Sequence, residues 1–418
     1  MSGEIANPRT QPETPNSWGK RALSHAVTLT LGSMGRGSAT AAETEAARYV
    51  QQQLADLGLR DVHLQLFQGL RSIWLFLSLA FGLALVGHAA YWLLRDPFGA
   101  PAALTVSLLA FIACAYLLWR KFTFRPYPLS GGLPHGPSQN VIARINPAGS
   151  STGSPVADVV LVGHLDSHRA VWWFAHDILV QAYTILTPLT LWGVLLSPIL
   201  YLLASLTMLR ILAWLGLALG ILHFSAWFTG ITADLGRYSP GANDNASAVG
   251  TLLALAERLQ LQPLRHTRVW LAFTGCEESG CDGMLQFLHE YGNSLRNALF
   301  MDFELVGIGE RLVYIQREGL ARPRKISPRV EEFLQASGKN YDLRPLNTTL
   351  SGAFTEIGTV WEYGFEGVCL MALRRNSKWL PEWHRLTDTA ERLQAETFQQ
   401  VQDLAWDLLQ AFDREPSK

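Results

Sequence analysis

Four long stretches of this chain carry no formal charge, and they come in two pairs: Ser72 to Leu94 with Pro101 to Trp119, and Ile178 to Leu209 with Ile211 to Gly230. A span of the hydrocarbon core needs about 20 apolar residues, which each stretch meets or nearly meets. Within the first pair apolar residues surround the helix, and Trp74, Tyr91, Trp92, Tyr116 and Trp119 stand towards the ends, as in membrane segments. A short turn carrying Arg95, Asp96 and Pro97 joins that pair, Arg210 sits at the tip of the second, and Pro188 and Pro198 are expected to break its first segment. The expectation is two transmembrane hairpins, and the 49% hydrophobic content of the 418 residues agrees with partial burial in lipid.

The rest has the composition of a soluble α/β protein. Residues 1–18 are polar and rich in Pro, Asn, Thr and Glu, which predicts a disordered tail without a secretory signal. Thr40 to Leu57 has a capping-box start (Thr40 with Glu43), an Ala-rich interior and Gly58 as a stop. Strands are expected at Val62 to Phe67, Asn140 to Ile145, in the stretch Asp158 to Ser167, which ends in a histidine and a carboxylate, at Arg268 to Thr274 and at Ala298 to Phe303, with shorter ones near Leu312 and Gly367. Helices are expected at Ala246 to Leu259, Gly283 to Tyr291 and Glu391 to Phe412. A Gly/Ser-rich turn precedes the Asp158 strand. The hairpins thus interrupt one folding unit: 19–71, 120–177 and 231–418 form the soluble part, with inserts at 72–119 and 178–230. A net charge of −1 gives no broad attraction for nucleic acid, and the four cysteines form neither a disulfide framework nor a Cys-x-x-Cys zinc pair.

Polar residues with chemical potential collect at strand ends and loops, where open sheets place their sites. His164 and Asp166 close the Asp158 strand, and Asp166 can accept a hydrogen bond from the imidazole. Asp244 lies in a turn-rich loop before a helix, where a capping role is the competing reading. Glu277 and Glu278 are adjacent and point in different directions, so one carboxylate can bind metal while the other faces water; as helix N-terminal acids they would instead favour the macrodipole. Asp302 is an acid inside an apolar strand, costly unless it is paired or coordinates a metal. His384 precedes the closing helix.

In order, His164-x-Asp166, Asp244, Glu277-Glu278, Asp302 and His384 resemble the co-catalytic zinc aminopeptidase family, whose relatives include glutamate carboxypeptidases and glutaminyl cyclases. The likeness extends to the segment Gly35-Arg36-Gly37-Ser38 and so to nearly all of the soluble part. It implies a mixed central sheet flanked by helices, with the four transmembrane helices as insertions. It also implies two Zn2+ ions: His164 and Asp302 on one, Glu278 and His384 on the other, Asp244 bridging. Glu277 would be general base and acid for a metal-bound hydroxide, and Asp166 would orient His164. The implied activity is removal of N-terminal residues from peptides by a membrane-embedded exopeptidase, with a carboxypeptidase or cyclase of the same family, or a catalytically dead membrane receptor or scaffold, as alternatives. Two departures stand out: Thr355-Glu356-Ile357 where many members have small-Asp-His, and Ala248 in place of a glycine. Arg and Lys crowd the catalytic-side flanks of the spans, which predicts a cytoplasmic active site.

Overall fold

The computed structural model describes residues 17–31, 35–128, 130–148, 157–349, 351–375, 377 and 379–414. The expected tail lies outside these as far as residue 16, and so does the Gly/Ser-rich turn over 149–156. Residues 17 and 18 belong instead to helix α1 (Ser17–Thr30). Its Trp18, Ala22, Ala26 and Leu29 recur at helical spacing and are buried. They pack against α8 (Ser247–Leu261), where a Cβ on Gly250 would stand 2.2 Å from the Ala22 carbonyl oxygen, so only glycine permits this approach.

Nine strands form one mixed sheet in the order β1-β2-β4-β3-β5-β9-β6-β7, with β8 also on β6. They are β1 (Val62–Leu70), β2 (His135–Ile145), β3 (Ala157–His164), β4 (Thr267–Thr274), β5 (Leu299–Phe303), β6 (Arg311–Glu318), β7 (Arg324–Lys325), β8 (Arg344–Asn347) and β9 (Glu366–Leu373). Strand β3 is parallel to both neighbours, β4 and β5, and helices cover the sheet, which is why Val159 to Val162 are apolar without alternation and entirely buried. Parallel β4, β3, β5 and β9 end on the same side, and the site collects there.

The remaining soluble helices are α2 (Ala41–Asp56), α9 (Asp282–Tyr291), α10 (Pro328–Ser337), α11 (Glu356–Glu362) and α12 (Ala395–Arg414). The capping box expected at α2 does not form. Thr40 Oγ1 donates to the Gly37 carbonyl, and Glu43 turns inward to accept from Ala39 N, Ser138 Oγ and Cys276 N. Burial pushes the Glu43 carboxyl up to about 8.

Helices α3 (Ile73–Leu93), α5 (Ala100–Phe122), α6 (Asp177–Thr207) and α7 (Arg210–Ala233) are each long and apolar enough to cross a membrane, with the short α4 (Arg95–Phe98) in the first connection. The breaks expected at Pro188 and Pro198 are absent, and α6 runs through both for 31 residues. Hydroxyl back-bonds such as Thr187 Oγ1 to Tyr183 O and Thr190 Oγ1 to Leu186 O lie along the same helix. Inside the bundle, the His88 imidazole meets the Tyr201 hydroxyl at 2.6 Å and His223 at 2.9 Å, and His223 reaches the Thr190 carbonyl at 3.2 Å. These two buried imidazoles are therefore partnered, as a low-dielectric interior requires, whereas the buried hydroxyls of Ser107 and Ser197 have no hydrogen-bond partner. Large apolar side chains such as Leu109, Ile112, Leu206 and Ile221 face outward.

Candidate metal centre

His164 terminates β3, and its Nδ1 lies 3.0 Å from the carbonyl oxygen of Asp166. That contact is met by an Nδ1–H donor, which leaves Nε2 with a free lone pair. The Asp166 carboxylate lies 3.4 Å from His164 Nδ1, close enough to help orient the ring as expected, and it does further work. It accepts from Ser38 Oγ at 2.6 Å and from the backbone N–H groups of Glu277 and Glu278 at 3.1 Å each, so it fixes the turn that presents both glutamates.

The Asp244 loop is held by two buried charged side chains, Asp388 and Arg36. Asp388 accepts from the backbone N–H of Asn243 and Asp244, at 2.7 and 3.0 Å. Arg36, fully buried, donates to the carbonyls of Leu165, Pro240 and Gly241 and thereby ties the His164 loop to the Asp244 loop. Asp244 consequently stands between two histidines: Oδ1 is 3.4 Å from His164 Nε2, and Oδ2 is 3.4 Å from His384 Nε2. It is not a helix cap. Glu278 Oε2 lies 3.2 Å from His384 Nε2, and Glu277 Oε2 is 4.0 Å from His164 Nε2.

The assignment of Asp302 needs correction. In the β3–β5 register Asp302 pairs with Val162, two residues short of His164, so it sits about 6.6 Å further down the strand. There its Oδ2 accepts from Ile357 N at 3.3 Å, and burial pushes its carboxyl up to about 7. Two residues on and level with His164, Glu304 brings Oε1 to 3.4 Å from His164 Nε2. A second residue absent from the sequence reading is His168, whose ring stacks on His384 with centroids 3.7 Å apart. His164, Asp244 and Glu304 offer ligand atoms within 4.8 Å of one another, as do His168, Glu278 and His384. The sequence carried one signal for each: His168 recurs in the loop that opens with His164, and Glu304 shares a strand face with Asp302.

The electrostatics favour a cation here. Asp244, Glu277, Glu278 and Glu304 are all buried together. Burial, reinforced by neighbouring carboxylates, drives the carboxyls of Glu277, Glu278 and Glu304 well above the usual range. Burial acts the same way on Asp244, but contact with His164 and His384 outweighs it and holds that carboxyl low. Glu278 Oε1 and Glu304 Oε1 are buried without any hydrogen-bond partner. Orphaned carboxylate oxygens beside free imidazole nitrogens are the donor set that divalent zinc takes, so these residues fit the metal.

Residues 223–409 match the model of peptidase family M28. No curated protein sequence matches the chain. Among solved structures, a Zn-dependent exopeptidase from Parabacteroides distasonis superposes with a TM-score of 0.53 at 13% identity, covering 93% of this chain and 96% of that one. A Bacillus subtilis zinc aminopeptidase gives 0.54 at 15%, covering 94% of each. A Bacteroides thetaiotaomicron glutaminyl cyclase gives 0.53 at 12%, covering 94% and 97%. The fold is that of the zinc aminopeptidases and their cyclase relatives.

Proposed function

We propose that this protein is a membrane-embedded, two-zinc aminopeptidase whose soluble part carries the catalytic site. The observation that carries the reading is Asp244, with one carboxylate oxygen 3.4 Å from each of two histidines, the arrangement a bridging ligand needs. His164 and Glu304 would hold one ion, Glu278 and His384 the other, with His168 beside the second. When bound, zinc supplies Lewis acidity and lowers the pKa of water. The chain's own residues do the rest. Glu277 stands farther from His164 than Asp244 or Glu304 does, at 4.0 Å, although with His164 and Glu278 it also falls within reach of one ion; its assigned role is to take a proton from the attacking water and deliver it to the leaving amine. Asp166 and Asp388 fix the backbone of Glu277, Glu278 and Asp244. Zinc content measured together with hydrolysis of an aminoacyl reporter tests the proposal; zinc-loaded protein inert on every aminoacyl reporter overturns it.

The ligand choice has its own test. Glu304→Gln is expected to weaken zinc binding by more than about 100-fold, the upper end of what an outer-shell change costs, whereas Asp302→Asn keeps the wild-type metal content. Metal loss from Asp302→Asn alone returns the ligand role to that residue.

Orientation follows from charge. Arg60, Arg71, Arg120, Lys121, Arg125, Arg169 and Arg237 flank the spans on the catalytic side, against Arg95 and Arg210 opposite. This bias favours a cytoplasmic site. A Ser17→Cys variant should resist a membrane-impermeant thiol reagent in intact cells and react after lysis; labelling before lysis reverses the topology.

A further inference from the structure

The cavity that contains the metal cluster does not stop at the soluble part. Its walls continue between α3, α6 and α7, through Leu77 and Phe81, Leu186 and Leu191, and Leu222 and Ala226. The wall on α3 begins at Ile73, so at 1.5 Å per residue it extends about 12 Å along the helix to Phe81. We infer that the substrate is an amide whose acyl side continues as a long hydrocarbon chain, and that the chain lies in this groove while the amide sits at the metal cluster. The inference rests on the hydrolase reading above and names its substrate class.

Three observations separate a hydrocarbon from an ordinary peptide as the occupant. The helices contribute no Asp, Glu, Lys or Arg to the groove, whose charged residues are all at the metal cluster. The threonines along it already have partners: Thr187 and Thr190 donate to carbonyls of their own helix, and Thr229 accepts from Trp173 Nε1, so the further polar groups on these helices are few, the Ser225 and Tyr183 hydroxyls and Trp74 Nε1. An extended peptide there would bury its backbone N–H and C=O groups without partners, at a cost of roughly 1–3 kcal/mol each, whereas methylene groups need none. Finally, the groove joins the cluster directly, with Phe174 and Trp383 beside His384, so the apolar chain must begin within a few atoms of the scissile carbonyl. The reaction balances as a hydrolysis. Water oxygen bonds to the acyl carbon, the C–N bond breaks, and its electron pair leaves on nitrogen. Glu277 returns the proton, giving a long-chain carboxylate and an amine.

The test uses the full chain, zinc-loaded, with 2-aminoacyl p-nitroanilides of increasing straight side chain, from 2-aminobutanoyl to 2-aminohexadecanoyl. For wild type, kcat/KM should climb by about three- to fourfold per methylene. The climb should end near ten carbons, the length roughly 12 Å accommodates at ordinary C–C bond lengths. Ala226→Trp should move the optimum to shorter chains and Phe81→Ala to longer ones. A flat length profile, or an optimum that neither variant moves, overturns the groove while leaving the hydrolase reading intact. A long-chain amide with a diazirine at its tail supplies a readout independent of turnover. Cross-links on α3 and α7 near Phe81 and Leu222 support the groove even if no reporter is cleaved, which would sink the hydrolase reading alone. Cross-links confined to other surfaces overturn it.

Discussion

Glu277→Gln is expected to lower kcat by about 10²- to 10⁴-fold, the range a positioned general base contributes, while zinc content stays at the wild-type level. The two halves of that result come from different features. The amide keeps the shape of the carboxylate, and the backbone N–H of residue 277 still donates to Asp166, so the turn carrying Glu278 is undisturbed. What the amide lacks is a basic oxygen to accept a proton. Parallel metal analysis and turnover measurements decide the matter: near wild-type turnover removes Glu277 from the role of base, and a fall in zinc content makes it a ligand.

The soluble sheet was legible because buried parallel strands are written as unbroken apolar runs, and β3, β4 and β5 have little else in them. The bundle was legible for the same reason on a longer scale, since a stretch free of charge from Ser72 to Leu94 has few alternatives. What escaped was amphipathic or short. Helix α1 is neither polar nor apolar on average, and half of its buried stripe of Trp18, Ala22, Ala26 and Leu29 is alanine, whose value is close approach rather than hydrophobicity. Prolines misled at Pro188 and Pro198, because a break is only one of the outcomes a proline permits inside a helix with neighbours on both sides.

At the site, residue types were readable and register was not. An acid inside a strand drew the metal role to Asp302, yet which acid reaches the cluster depends on how β5 aligns with β3, and that is a tertiary fact. The side-chain period of two keeps Asp302 and Glu304 on one face, so pattern alone could not choose between them. Asp166 posed a similar problem. Its carboxylate stands 3.4 Å from the imidazole as expected, but nothing in the sequence showed that it also holds the Glu277–Glu278 backbone, or that the imidazole takes the main-chain oxygen too. The groove had no sequence signal at all, since its walls are the same apolar residues that make the four long apolar helices.

Asp244→Asn should remove both zinc binding and activity. The carboxylate stands between two histidines, so losing its charge weakens the hold on both ions at once, where a change at Glu304 or Glu278 weakens the hold on one. The variant is chosen over Ala because asparagine keeps the side-chain volume, and the two backbone N–H donations to Asp388 do not involve the side chain. Folding can then be separated from binding by thermal stability. Zinc at 1,000 times its dissociation constant stabilises wild type by about 4 kcal/mol, a rise of several degrees in Tm. In Asp244→Asn that zinc-dependent rise should vanish. The metal-free Tm should stay level or fall slightly, because contact with His164 and His384 holds the Asp244 carboxyl low and the ionised group therefore stabilises the metal-free fold. A variant that melts lower without zinc yet keeps the full zinc-dependent rise would assign Asp244 a structural role, and the bridge between the two histidines would have to be abandoned.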